Sequence, residues 1–271
     1  MFLQILFLGS IFVHVSPSKL LVSTGAQYDD KGQISEVIDL LDPEAICEPL
    51  SDYPVNIEDA FGGLLHGNIP IICGGQSMSG FYQNMQCHTI SSDSISTGKF
   101  NVSILKLVGW SRSPKFHCIF WTYVIFAIDL ITVRTYSAGI SVDNNHFWIT
   151  GGYNFQFDYS TELISLDQPS KLGPILPQGF AYHCMAKMGE NNVILTGGYA
   201  NNGDTLLVDT ANNFTMTAGP KLLKDRYNHG CGMFELDGKI FVIVAGGDSG
   251  FTSLTDSEIL EAGSNQWIQG R

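Results

Sequence analysis

Apolar residues in this chain come in short runs that end on glycine. "FWITGGY" begins at Phe147, "NVILTGGYA" at Asn192 and "FVIVAGGDSG" at Phe241. Each run has the length of a strand and is too short for a helix. A polar turn stands ahead of each one: Asp143-Asn-Asn145, Glu190-Asn-Asn192 and Asp237-Gly-Lys239, with His66-Gly-Asn68 ahead of "IPIICGG". Asn, Asp and Gly tolerate the left-handed dihedrals of a tight hairpin, so turn and run together predict antiparallel strand pairs. After the glycines, a polar loop leads into another apolar strand. These strands are Glu162-Leu-Ile-Ser-Leu166, Thr205-Leu-Leu-Val208 and Glu258-Ile-Leu260, with Glu36-Val-Ile-Asp-Leu40 nearer the N-terminus. Asn265-Gln-Trp267 reads as a fourth strand closing the last unit.

The spacing of the glycines turns these strands into a repeat. Pairs fall at Gly74-Gly75, Gly151-Gly152, Gly197-Gly198 and Gly246-Gly247, and Gly25-Ala26 is a degenerate fifth instance. Successive first glycines are 49, 77, 46 and 49 residues apart. Three of those intervals match a unit of about 50 residues. With the hairpin turns, the pattern resembles the kelch repeat over roughly residues 19–267. Arg134-Thr-Tyr-Ser-Ala-Gly139 and Arg226-Tyr-Asn-His-Gly230 match that family's Arg-bearing lead-in to the first strand of a unit. Trp267 alone occupies the family's closing tryptophan position. The resemblance implies an all-β fold, a kelch-type β-propeller over residues 19–271. About five four-stranded blades are recognisable, as part of an incomplete six-bladed ring. The glycine pairs then mark an inner corner where a side chain would strike the next blade and where positive φ is needed.

The 77-residue interval exceeds the mean of the others by 29. The surplus lies in residues 98–133, where "KFHCIFWTYVIFAIDLITV" has neither turn residues nor alternation. We read this segment first as translated intron. Codons for Gly98-Lys99 permit GGTAAG, a donor-like junction, and those for Val133-Arg134 permit GTCAGA, an acceptor-like one. An insertion loop and a membrane-crossing helix are the alternatives, the latter opposed by His117 and Asp129.

The first 18 residues are apolar from Phe2 to Val15, followed by small residues at Ser16 and Ser18. This predicts a secretory signal peptide, with a buried first strand as the other reading. Six cysteines agree with an oxidising compartment. Cys73 with Cys87 and Cys184 with Cys231 are the expected disulfides, and Asn213-Phe-Thr215 is an N-glycosylation acceptor in a secreted chain. No membrane association beyond the signal peptide is expected. A net charge of −12, with 14 Lys and Arg in no cluster, argues against a nucleic-acid partner.

No catalytic residue, metal site or cofactor is expected. His183-Cys184 and His229-Gly-Cys231 invite a zinc reading, but adjacent strand residues point to opposite faces. The expected working surface is the loops after the glycine pairs, residues 76–83, 153–159, 199–204 and 248–255. They carry Phe81, Tyr82, Tyr153, Phe155, Tyr159, Tyr199 and Phe251, with Asp204 and Asp248 among them. Aromatic side chains on loops held by rigid sheets are common contact anchors. The resulting expectation is a secreted, non-catalytic protein that binds a protein or glycan through propeller rim loops. The family also includes substrate adaptors of ubiquitin ligases and galactose-oxidase-like enzymes, which stand as alternatives.

Overall fold

A computed structural model of the chain describes residues 11–16, 19–23, 35–39, 60–65, 69–75, 86–91, 105–106, 124–199, 201 and 203–270. Phe81, Tyr82, Cys47 and Cys118 lie outside the described residues. Every regular element among the described residues is a strand, and the sheets are antiparallel and arranged as β-propeller blades. The chain falls into two compact units. One contains residues 1–135, 143–147 and 163–171, and the other contains 136–142, 148–162 and 172–271.

Among the described residues there are four blade sheets, not five or six. Blade 1 orders Phe61–Leu65, Ile69–Cys73, Gln86–Ser91 and Val124–Asp129, with the short Leu105–Lys106 on its edge. Its fourth strand is therefore drawn from the 98–133 segment and pairs with Gln86–Ser91 from Gln86↔Asp129 to Ser91↔Val124. Blade 2 is Ala138–Ser141, Phe147–Thr150, Thr161–Ile164 and Lys171–Leu172. Blade 3 is Cys184–Lys187, Asn192–Thr196, Thr205–Asp209 and Thr215–Ala218. Blade 4 is Gly230–Leu236, Lys239–Ala245, Ser257–Glu261 and Ile268–Gln269. The expected first unit, the one with the degenerate Gly25-Ala26, instead forms a three-stranded sheet of Ile11–Ser16, Lys19–Ser23 and Ser35–Asp39. Its first strand comes from the segment expected to be the signal peptide.

The left-handed hairpin expected from the turn residues is present at Asp237-Gly238 and not at Asp143-Asn-Asn145 or Glu190-Asn-Asn192, and His66-Gly-Asn68 lies outside the described residues. Leu236 pairs with Lys239, leaving Asp237 at φ 53° and Gly238 at φ 73° as the two turn residues. Positive φ at both central positions is the turn whose twist matches the flanking strands. Asp143 instead accepts the Asn145 and His146 backbone N–H groups on Oδ1, at 2.6 and 2.8 Å, and closes its turn with a side chain.

Gly74, Gly151, Gly197 and Gly246 all have positive φ, as do their partners Gly75, Gly152, Gly198 and Gly247. Two positions show why. A Cβ on Gly151 would collide with the Phe180 carbonyl, and one on Gly197 would collide with the Arg226 carbonyl. Each obstructing carbonyl belongs to the lead-in of the following blade. The same carbonyls accept N–H groups from the second glycines, Gly152 to Phe180 at 2.6 Å and Gly198 to Arg226 at 2.9 Å. One glycine thus clears the space and the other ties the blades together. At Gly74 the obstructing group is the Arg134 carbonyl, 2.9 Å from the Cβ position.

Between blades 3 and 4 lies a core of Ala186, Ile194, Leu222, Val242, Val244, Leu260 and Trp267. Trp267 satisfies its indole N–H on the Pro220 carbonyl at 2.9 Å while burying its ring. Cys184 and Cys231 form a disulfide across the first strands of these two blades, and Cys73–Cys87 joins directly paired residues within blade 1. Both expected pairings are present.

Candidate binding surface

The loops that follow the glycine pairs in blades 2, 3 and 4 all lie in the second compact unit. The loop at 153–159 is a miniature hairpin. Tyr153 bridges to Phe157, Asp158 N–H donates to Gly152 O at 3.0 Å, and Phe155 sits at the tip with φ 56°. The loop at 248–255 repeats the design, pairing Asp248–Ser249 with Thr252–Ser253 around Gly250 and Phe251. The two tip phenylalanines are correspondingly the most exposed aromatics described, Phe155 at 88% and Phe251 at 111%. Between the hairpins, Asn201 folds its loop inward by donating Nδ2–H to Gly197 O at 3.1 Å, and Tyr199 N–H donates to Ala181 O at 2.9 Å.

These loops bring some of the expected residues into one aromatic cluster. Tyr153 meets Phe157 edge-on with centroids 5.9 Å apart, and Phe157 stacks toward Tyr199 at 6.4 Å. Tyr199 then contacts Tyr227 at 5.3 Å and Tyr182 at 6.2 Å, and Tyr182 stacks on Tyr136 at 3.9 Å. Tyr153 is 37% exposed and Tyr199 51%, so the cluster opens to solvent through its loop members. The ring of Tyr159 lies over Gly179. Asp204 is held by Lys221 at 2.9 Å, whose ammonium pKa that pairing raises. Asp248 accepts the Ser253 hydroxyl at 2.8 Å, and Asp158 accepts the Ser160 hydroxyl at 3.0 Å.

Sequence reasoning missed the inner half of this cluster. Tyr136, Tyr182 and Tyr227 stand in the blade lead-ins, inside stretches read only as scaffold. Tyr136, Tyr182 and Asn228 occupy equivalent positions, with φ of 55°, 58° and 54°. Their backbones form a ladder: Asn228 N–H donates to Tyr182 O and Tyr182 N–H to Tyr136 O, each at 2.9 Å. Left-handed geometry is uncommon for tyrosine, and the stacking between blades holds it there. The available signal was a tyrosine after each lead-in Arg134 or Arg226, and after Phe180 in blade 3.

The histidines have a structural role. His183 Nε2 lies 2.8 Å from the Thr150 hydroxyl of the preceding blade, and His229 Nε2 lies 2.9 Å from that of Thr196. Each threonine hydroxyl also lies within reach of a backbone carbonyl, Ala138 O at 3.4 Å or Cys184 O at 3.3 Å, and that of Thr150 is 3.1 Å from Met185 Sδ. Nδ1 of each ring is buried without a hydrogen-bond partner among the described residues. Burial pushes both pKa values down to about 3. Cys184 and Cys231 are committed to their disulfide, and among the described residues no cluster of three or more His, Cys, Asp or Glu is placed to hold a metal.

Asn213 is exposed in the turn between Thr205–Asp209 and Thr215–Ala218, with φ 49°. Phe214 beside it turns inward against Trp148, with centroids 4.9 Å apart.

No protein-family model matches the chain, and no curated protein matches it. The fold is compatible with a non-catalytic binding role, and the two disulfides are consistent with an extracellular protein.

Proposed function

We propose that this chain is a secreted kelch-type propeller protein that binds a protein or glycan partner, without catalysis, through the loops after its glycine pairs. The observation that carries the reading is the aromatic cluster opening at Tyr153 and Tyr199, built on short loops anchored to rigid sheets. Rigid aromatic rings offer large contact area at small entropic cost, as a recognition surface needs. The disulfides, the apolar N-terminus and the exposed Asn213 support passage through the secretory pathway.

Expression of the tagged full chain in a secreting cell tests the route. The expected result is protein in the medium, a new N-terminus near Ser18 and a mass loss on glycosidase treatment. Arrays of extracellular proteins and oligosaccharides test the activity, run with wild type beside a Tyr153→Ala/Tyr199→Ala variant. Binding signals lost in the variant are expected; signals that survive it place recognition elsewhere.

A further inference from the structure

The loops after the glycine pairs carry Asp158, Asp204 and Asp248, of which Asp204 is paired with Lys221 from outside them. Asp248 exchanges two backbone hydrogen bonds with Tyr227, at 2.8 and 3.0 Å, so its residue sits against the cluster. Neither loop, 153–159 or 248–255, contains Lys or Arg, nor does 199–204. The chain as a whole carries −12, so the long-range field has the same sign as the local one. Ring faces with nearby carboxylates attract planar cations twice: by the quadrupole of the ring and by the charge beside it.

We propose that this surface takes an arginine-bearing segment of a protein partner, with guanidinium groups over Tyr199 and its neighbouring rings and Asp248 flanking them. The inference rests on the binding role proposed above and specifies its partner. Arginine fits better than lysine because a planar, weakly hydrated guanidinium stacks on a ring and still presents N–H donors in its plane to a carboxylate. A neutral glycan would use the rings and leave the charge bias unused.

The test is fluorescence anisotropy with the full chain and four probes: a Gly-Arg peptide, its Gly-Lys counterpart, the same peptide with citrulline for arginine, and a neutral oligosaccharide. The arginine peptide is expected to bind at least tenfold tighter than the citrulline peptide, and tighter than the lysine one. Tyr199→Ala, at a half-exposed position, is expected to weaken it about tenfold, with Tyr199→Phe retaining affinity. Asp248→Asn should weaken binding and flatten its salt dependence. Equal binding of arginine and citrulline peptides overturns the proposal, as does an arginine affinity indifferent to Tyr199→Ala, which marks mere attraction to an acidic chain. An oligosaccharide lost on Tyr199→Ala overturns the cationic partner and leaves the binding surface standing. Failure of every probe here, with no Tyr199-sensitive signal on the arrays, overturns both.

Discussion

Blades 3 and 4 have the same backbone plan and opposite interiors at one pair of positions. Phe180 and Arg226 are equivalent: the carbonyl of each blocks the first glycine of the blade before and accepts the N–H of the second. Thr205 and Ser257 are equivalent as well, each receiving a closing-strand glycine N–H, from Gly219 and Gly270. Leu206 therefore corresponds to Glu258. In blade 4 the two positions hold a fully buried ion pair, Arg226 to Glu258 at 2.7 Å. In blade 3 both are apolar, with Phe180 and Leu206 buried. The repeat thus requires a backbone carbonyl at the inner corner and leaves the side chain free to vary, provided that both members of the pair change together.

The ion pair in blade 4 is embedded in further bonds. Glu258 accepts the backbone N–H groups of Leu223 and Lys224 at 2.6 and 3.1 Å, and Arg226 donates to Gly246 O at 2.8 Å. Arg226→Leu would leave Glu258 buried and without its cation. We expect a loss of up to about 5 kcal/mol, measured by urea denaturation. Arg226→Phe with Glu258→Leu, which copies blade 3, should recover most of that, because a well-packed apolar pair often equals a buried ion pair. If the double variant is no better than the single one, the two blades are not interchangeable at this position. Leu206→Glu alone should be damaging in the reverse sense and partly rescued by Phe180→Arg.

The disulfides give the next effect. Cys184–Cys231 spans 47 residues and links the two blades, whereas Cys73–Cys87 spans 14 within one. Chain entropy assigns them about 4 and about 3 kcal/mol. Cys184→Ser/Cys231→Ser should therefore lower Tm more than the corresponding blade 1 variant, and an equal drop would show that the inter-blade link adds nothing by its span. Smaller again is the glycine contrast. Gly197→Ala meets both a φ of 60° and the Arg226 carbonyl, for an expected loss of about 2 kcal/mol. Gly232→Ala, in a blade 4 strand with open space around it, should change stability by less than about 0.5 kcal/mol.

How much of this was legible follows from what each feature depends on. The glycine pairs and turn residues were readable because local dihedrals demand them; Asp237-Gly238 names its turn by chemistry alone. The Cys184–Cys231 disulfide followed from matching places in successive units, and Cys73–Cys87 from two cysteines flanking one loop 14 residues apart. Blade number was not readable, because a strand can be recruited from any apolar stretch: Val124–Asp129 came from the anomalous segment and Ile11–Ser16 from the apolar N-terminus. The lead-in arginines and second-strand glutamates were visible separately. Their partnership was not, since it closes across 32 residues of chain. The aromatic surface was half legible. Loop rings announce themselves by position, whereas Tyr182 and Tyr227 join them only through the stacking of blades.

The subtlest contrast sets blade 2 against the later two at the position facing the preceding blade. Ser137 stands in blade 2, where its hydroxyl donates to Gly151 O at 2.9 Å and nothing titrates. His183 and His229 stand there in blades 3 and 4. Each has a folded pKa lowered to about 3, first by burial, and for His229 also by the charges of Arg226 and His183. An unfolded histidine titrates near 6.5. Above that pH both states are neutral and the histidines cost nothing. Below it the unfolded chain binds protons that the folded one refuses, so stability falls as pH drops from about 6.5 toward 3, at up to about 1.4 kcal/mol per pH unit for each ring. At pH 5.5 the loss is about 1.4 kcal/mol for each. Urea midpoints measured from pH 7.5 to 4.5 should show this slope, and His183→Ser, which installs the blade 2 residue, should remove about a third of it, because the buried His88 adds a similar share over the same range. An unchanged slope in that variant would place the acid sensitivity in other groups, beginning with the buried His88, whose pKa burial lowers to about 4.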